Sequence, residues 1–218
     1  MKGKVAAIVE EAFVYKEETN FTVLKTSLFF SSDGFNAYDS KGQLVFRVDT
    51  YGPDSSNQGE LVLMDASGRC LFTVRRKRPS LHHRWDGYLA ERMEGQKPIF
   101  SVLRSSMIGR SIVTVEVYNN NPVEEYQIEG SFEQRSCTFF NAEKECVAEI
   151  GRKVDINCDN LVLGKDVFSL NVKPGFDAAF AMGLILVLDQ INADDYVKVN
   201  DNQVDVEPIV ADDPHLSP

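Results

Sequence analysis

Residues 178–188 read AAFAMGLILVL, eleven apolar residues without a single polar interruption. Asp177 stands before them as an N-cap, and Asp189, Gln190 and Asn192 close them. This predicts a helix over about 177–192 with polar residues confined to its ends. A helix that is apolar all round has no stripe to lay on a core; it sits in a membrane or is enclosed by protein. Crossing a bilayer takes roughly 20 apolar residues, so eleven argue for enclosure and against a transmembrane span. The rest of the chain must therefore supply a wall.

The wall is legible as hairpins. Residues 35–48 (FNAYDSKGQLVFRV) and 61–74 (LVLMDASGRCLFTV) match at a spacing of 26: Asp39 with Asp65, Gly42 with Gly68, Phe46 with Phe72, Val48 with Val74. Each copy is a strand, a polar turn and an alternating strand, with Asp bonding the turn and Gly supplying positive φ. Looser copies centre on Met93–Lys97 and Asn141–Glu145. Further strands are expected at 111–118, 126–132, 136–140 and 167–172. About eleven or twelve strands joined by short turns favour a closed barrel or a sandwich. A mainly β fold, a closed antiparallel barrel of about twelve strands around one buried hydrophobic C-terminal helix, satisfies both signals. With 218 residues, one such domain is expected over 21–192, with an N-terminal extension at 1–20 and an acidic, disordered tail at 193–218.

Charge is segregated along the chain. Residues 193–218 carry seven acids and one base, net −6 of the total −10. Residues 69–110 carry ten bases and three acids, net +7. The overall acidity excludes a uniformly basic nucleic-acid binder, but the basic middle leaves an anionic-ligand face open. The apolar run near the N-terminus, Val5–Val9, is too short for a signal-peptide core. A reducing compartment is expected, with Cys70, Cys137, Cys146 and Cys158 as free thiols. The cytoplasm is the expected location, with the membrane periphery or the nucleus as alternatives.

An ordered set of short stretches resembles the plant LURP-one-related family, in the tubby C-terminal-like superfamily with the phospholipid scramblases. They are Ser27-Leu28-Phe29, Asp33-Gly34-Phe35, Leu81-His82-His83-Arg84-Trp85, Arg104-Ser105-Ser106-Met107, Ile128 to Phe132, Arg135-Ser136-Cys137 and Val162 to Phe168. The resemblance covers about Phe21 to Asn192. It implies a twelve-stranded antiparallel barrel around a hydrophobic C-terminal helix, no assigned catalysis, and a possible setting in plant defence. Superfamily members bind phosphoinositides, tether regulators to membranes or are proposed to move lipids. Fold is not function, so none of these roles transfers automatically.

The sharpest candidate site is Arg75-Arg76-Lys77-Arg78, with Arg84 nearby. Consecutive bases at a strand end could grip anionic phospholipid head groups, since arginine forks match phosphate oxygens. The competing reading is a solvated strand end that blocks edge pairing. A nuclear import signal is weaker, because these residues belong to a hairpin. Adjacent His82 and His83 face opposite ways in a strand and suit neither a metal pair nor a dyad; Trp85 reads as an anchor. Cys137 and Cys146 flank the Asn141 turn, where a redox pair competes with plain core packing. Residues 200–207 lack the glycine of a calcium loop. No metal site, cofactor or enzymatic motif is expected. Two function classes remain: a non-enzymatic lipid- or phosphoinositide-binding, membrane-tethered module, and a protein-interaction scaffold with unknown partners. Nucleic acid is not expected as a ligand.

Overall fold

The computed structural model describes residues 7–27, 33–50, 60–77, 84–107, 110–118, 122–155 and 161–201. In chain order the strands are β1 (Thr19–Ser27), β2 (Asp33–Tyr38), β3 (Leu44–Thr50), β4 (Glu60–Asp65), β5 (Cys70–Arg76), β6 (Trp85–Leu89) and β7 (Phe100–Met107). There follow β8 (Arg110–Val117), β9 (Glu124–Ser131), β10 (Ser136–Phe140), β11 (Cys146–Arg152), β12 (Val154–Asp155), β13 (Leu161–Val162) and β14 (Val167–Val172). The helix α1 (Ala178–Asp201) ends the described chain.

Strands β1 to β11 pair each with the next, and β14 slots between β11 and β1 to close a twelve-stranded barrel. An even strand number lets every neighbour be antiparallel, and every pair is. The short β12–β13 ribbon stands outside it. Period-2 alternation directs one set of side chains inward: Phe21 and Val23, Phe46 and Val48, Phe72 and Val74, Phe168 and Leu170 are all buried.

An eight-stranded barrel is filled by its own side chains; twelve strands leave a wider lumen. Here α1 fills it. Every residue from Asp177 to Asp189 is buried, which explains why the segment needs no polar face. The lengths agree: eleven helical residues rise about 16 Å, and a seven-residue strand tilted by about 40° spans about 18 Å of barrel axis. The fit is close at Gly183, where a Cβ would lie 1.9 Å from Phe72 Cζ. Phe72 stacks edge-on to Phe100 at 5.9 Å, and Phe100 to Phe180 of the helix at 5.1 Å.

Asp177 caps the helix as expected, and does more. Its Oδ1 accepts from the Ala179 and Phe180 N–H groups at 2.9 and 3.1 Å. Its Oδ2 accepts from Val9 and Glu10 N–H at 2.8 and 3.0 Å. One carboxylate thus fastens the segment before β1 across the helix entrance, where Ile8 is buried and Phe13 packs on Phe46. At the other end α1 does not stop near Asn192 but runs nine residues further, to Asp201. No glycine or proline intervenes to stop it.

The repeated turns are alike in detail. Asp39 Oδ1 accepts from Lys41 and Gln43 N–H, and Asp65 Oδ1 from Ser67 and Arg69 N–H. Gly42 and Gly68 have φ of 76° and 89°. The looser copy at Asn141 keeps the geometry with Lys144 at φ 63°.

Candidate functional site

Antiparallel alternation fixes which charges share an end of the barrel. The odd-numbered strands β1 to β11 all finish at one mouth, and the even-numbered strands start there. The helix enters at the opposite mouth, beside the bridge between Val14 and Asp177. It leaves at this one, where Asp189 meets Lys25 near the end of β1 at 3.1 Å. Arg75 and Arg76 end β5, and Lys77 N–H donates to the Arg84 carbonyl just before β6 at 2.9 Å. Arg104 lies in the last half of β7, Arg152 ends β11, and Lys165 precedes β14. All belong to the exit mouth. The entry mouth instead has more acids than bases: Glu10, Glu17, Glu18, Asp39, Asp65, Glu124, Glu143 and Glu145 stand there with Lys16, Lys41, Arg69, Lys97, Lys144 and Lys173. The barrel is electrically polar along its axis.

The sequence-predicted residues do not all play one part. Arg75 reaches Glu60 at 3.5 Å, and Glu60 also accepts from Arg92 Nε at 2.8 Å. Arg84 donates to Asp86 at 3.0 Å, to Ser101 Oγ at 2.8 Å and to the Tyr118 hydroxyl at 3.0 Å. Glu60, Arg75, Asp86 and Ser101 stand side by side in register on the outer wall. Glu60 and Asp86 are nearly buried, and a buried carboxylate requires such partners. Two of the five arginine and lysine candidates are thus held by the wall's own acids. Arg76 is half-buried and Lys77 exposed at the rim. Arg78 lies outside the described residues, as do His82, His83 and Cys158. Trp85 is buried in the wall opposite Val102.

Beside the helix exit, between α1 and the wall of β8 to β10, opens a cleft of about 290 Å³. Val113, Ile128, Phe132, Leu188 and Ile191 make its apolar sides; Arg104, Glu133 and Asn192 stand among its polar residues. Sequence reasoning did not find it, because it forms only where helix and wall meet. Next to it the Arg135 guanidinium is buried between the rings of Phe132 and Phe168, at 4.1 and 4.4 Å. It donates to the carbonyls of Lys165 and Phe132. Burial pulls its pKa down. Arg135 therefore pins the mouth rather than offering charge to it. The signal was an arginine next to aromatic strands, which the charge count alone does not distinguish from a surface base.

Cys137 also borders the cleft. Burial pushes its thiol up to about 12, so it is inert as a nucleophile at neutral pH. It pairs in register with Ile150, while Cys146 faces Phe140; the two are not opposite, and both are free thiols. Among the described residues no group of three or more His, Cys, Asp or Glu is placed to hold a metal. The calcium reading of 200–207 falls almost wholly outside the described residues. Among those residues, no helix is long and apolar enough to cross a membrane.

The family profile described as LURP-one-related matches residues 19–189. Protein LURP-one-related 5 of Arabidopsis thaliana is 62% identical over 206 residues, covering 94% of this chain and 97% of its own. Protein LURP-one-related 12 of the same plant is 58% identical over 205 residues, covering 94% and 91%. A crystal structure of another Arabidopsis thaliana protein shares the fold with a TM-score of 0.62 at 22% identity, over 85% of this chain and 98% of that one.

Proposed function

Because the chain belongs to the LURP-one-related family, we propose that it is a non-catalytic regulatory module that docks on anionic membrane surfaces through the exit mouth of its barrel. The observation that carries this reading is the convergence of bases from β5, β7, β11 and the approach to β14 on one mouth, against an excess of acids on the other. Bases near an anionic leaflet contribute about 1 kcal/mol each and decay within a Debye length. Four engaged together give about 4 kcal/mol, a weak and reversible attachment. Phosphoinositide head groups are the fitting ligand, since several phosphates concentrated on one ring match several cations on one rim. The location this implies is the cytoplasmic periphery of a membrane.

The test is co-sedimentation with phosphatidylcholine vesicles, with and without a few per cent phosphoinositide. Binding should require the phosphoinositide and fall steeply with salt. Arg76→Glu with Lys77→Glu should weaken it on the order of tenfold or more while leaving the Arg75–Glu60 pair in place. Equal binding by wild type and variant would refute the reading and leave the scaffold alternative.

A further inference from the structure

We propose that the end of α1, residues 193–201, is an autoinhibitory stand-off: while helical it holds the exit mouth away from an anionic membrane, and its unwinding lets the mouth dock. The device regulates the docking mouth argued above and rests on that reading. At this mouth Asp189 meets Lys25 at 3.1 Å, the Lys25 N–H donates to the Asp166 carbonyl, and Arg152 lies opposite Phe168 of β14. Arg152 and Lys165 are therefore close to level with Asp189. Past Lys25, β1 continues only to Ser27, about 5 Å along a tilted strand. Past Asp189, the helix continues to Asp201, a rise of about 18 Å. On the other side, β7 continues from Arg104 to Met107, about 8 Å. From Asn192, beside Arg104 in the cleft, the helix rises about 14 Å to Asp201. It outreaches both strands. The buried run 177–189 sets its direction along the lumen, and no glycine or proline follows to turn it.

Height and sign act together. About 18 Å is more than two Debye lengths at physiological ionic strength, so the pull of a flat anionic surface on Arg152 and Lys165 falls to roughly a tenth. The extension carries Asp194, Asp195 and Asp201 against Lys198, net −2, and a helix C-terminus presents the negative end of its dipole. An anionic leaflet thus meets like charge first. The same residues make the extension easy to unwind. Asp195 and Asp201, in the last two turns, oppose the dipole, and Val197, Val199 and Asn200 are weak helix formers. Burial holds the helix as far as Ile191, whereas Ala193 is already exposed. Such an end opens locally while the buried part stays in place. The measured affinity is then the mouth's own affinity scaled by the fraction unwound.

Two variants of the full chain that leave its net charge unchanged test the device by co-sedimentation with phosphoinositide vesicles. Val197→Pro breaks the extension beyond the barrel and should tighten binding about threefold to tenfold. Val197→Ala with Asn200→Ala strengthens the helix and should weaken binding severalfold. In the wild type, amide hydrogen exchange over 193–201 should speed up at least about tenfold when vesicles bind, with 178–188 as protected as before. Exchange over 193–201 unchanged or slowed in the vesicle-bound wild type overturns the stand-off and leaves the docking reading intact. So does Val197→Pro binding no more tightly than wild type. If neither wild type nor Val197→Pro binds the vesicles, the docking reading falls and takes the stand-off with it.

Discussion

Asp65 shows how one residue type serves a hairpin. Its carboxylate takes N–H bonds from Ser67 and Arg69, the Ser67 hydroxyl and the Arg69 guanidinium at once. Partial desolvation pushes its pKa up, but the hydrogen bonds from Ser67 and Arg69 outweigh it and hold the group at about 2, against 3.8 normally. The native state therefore favours the charged form. Its contribution is fully present above about pH 4 and disappears as pH falls through about 2. Solvent at the turn discounts the full linkage value, leaving about 1–2 kcal/mol. Asp65→Asn should be less stable than wild type by that amount at pH 7 in urea melts, and the gap should close below about pH 2. A pH-independent gap would assign the loss to shape rather than charge. Asp65 and Gly68 were readable because turn chemistry is local. The Arg75–Glu60 and Arg84–Asp86–Ser101 contacts were not, because the cross-strand register that makes them is set by the whole barrel.

The helix is the element on which the wall depends. Its run of apolar residues without a polar face was enough to predict enclosure, and the hairpin repeat was enough to predict what encloses it. The contact between them was not readable. Gly183 looks like a weak point in a helix, costing about 1 kcal/mol against alanine. In the barrel it is the slot for the Phe72 ring, 111 positions away in sequence. Phe72 is fully buried and backed by Phe100, so the ring has nowhere to withdraw. Gly183→Ala should lower stability by about 2 kcal/mol net of the helix gain. Phe72→Leu should recover part of the loss in the double variant. A Gly183→Ala protein as stable as wild type would mean that the helix is not seated as described. The second oxygen of Asp177 was equally invisible: the cap is local, but Val9 and Glu10 arrive from 168 and 167 positions away.

At the scale of the molecule, the net charge of −10 conceals two opposed mouths. The segment arithmetic detected the basic middle, but only strand order could place Arg104, Arg152 and Lys165 with Lys77. The same order puts the continuing helix, with Asp194, Asp195 and Asp201 in its sequence, past the basic mouth. Residues 202–218 add four carboxylates and no lysine or arginine. Those acids oppose docking on an anionic surface. Removing residues 202–218 should therefore strengthen vesicle binding severalfold at low salt, and the gain should vanish near 0.5 M salt. Weaker binding after truncation would make the tail a contributor instead.

The most direct test of a polar barrel compares two charge reversals of equal size at opposite mouths. Arg76→Glu with Lys77→Glu alters the exit mouth; Lys16→Glu with Lys41→Glu alters the entry mouth at exposed positions. Both change the net charge identically, so nonspecific electrostatics predicts the same loss of affinity for phosphoinositide vesicles. Docking through the exit mouth predicts a loss on the order of tenfold or more in the first variant and little change in the second. Equal losses in both, or loss only in the second, would contradict it.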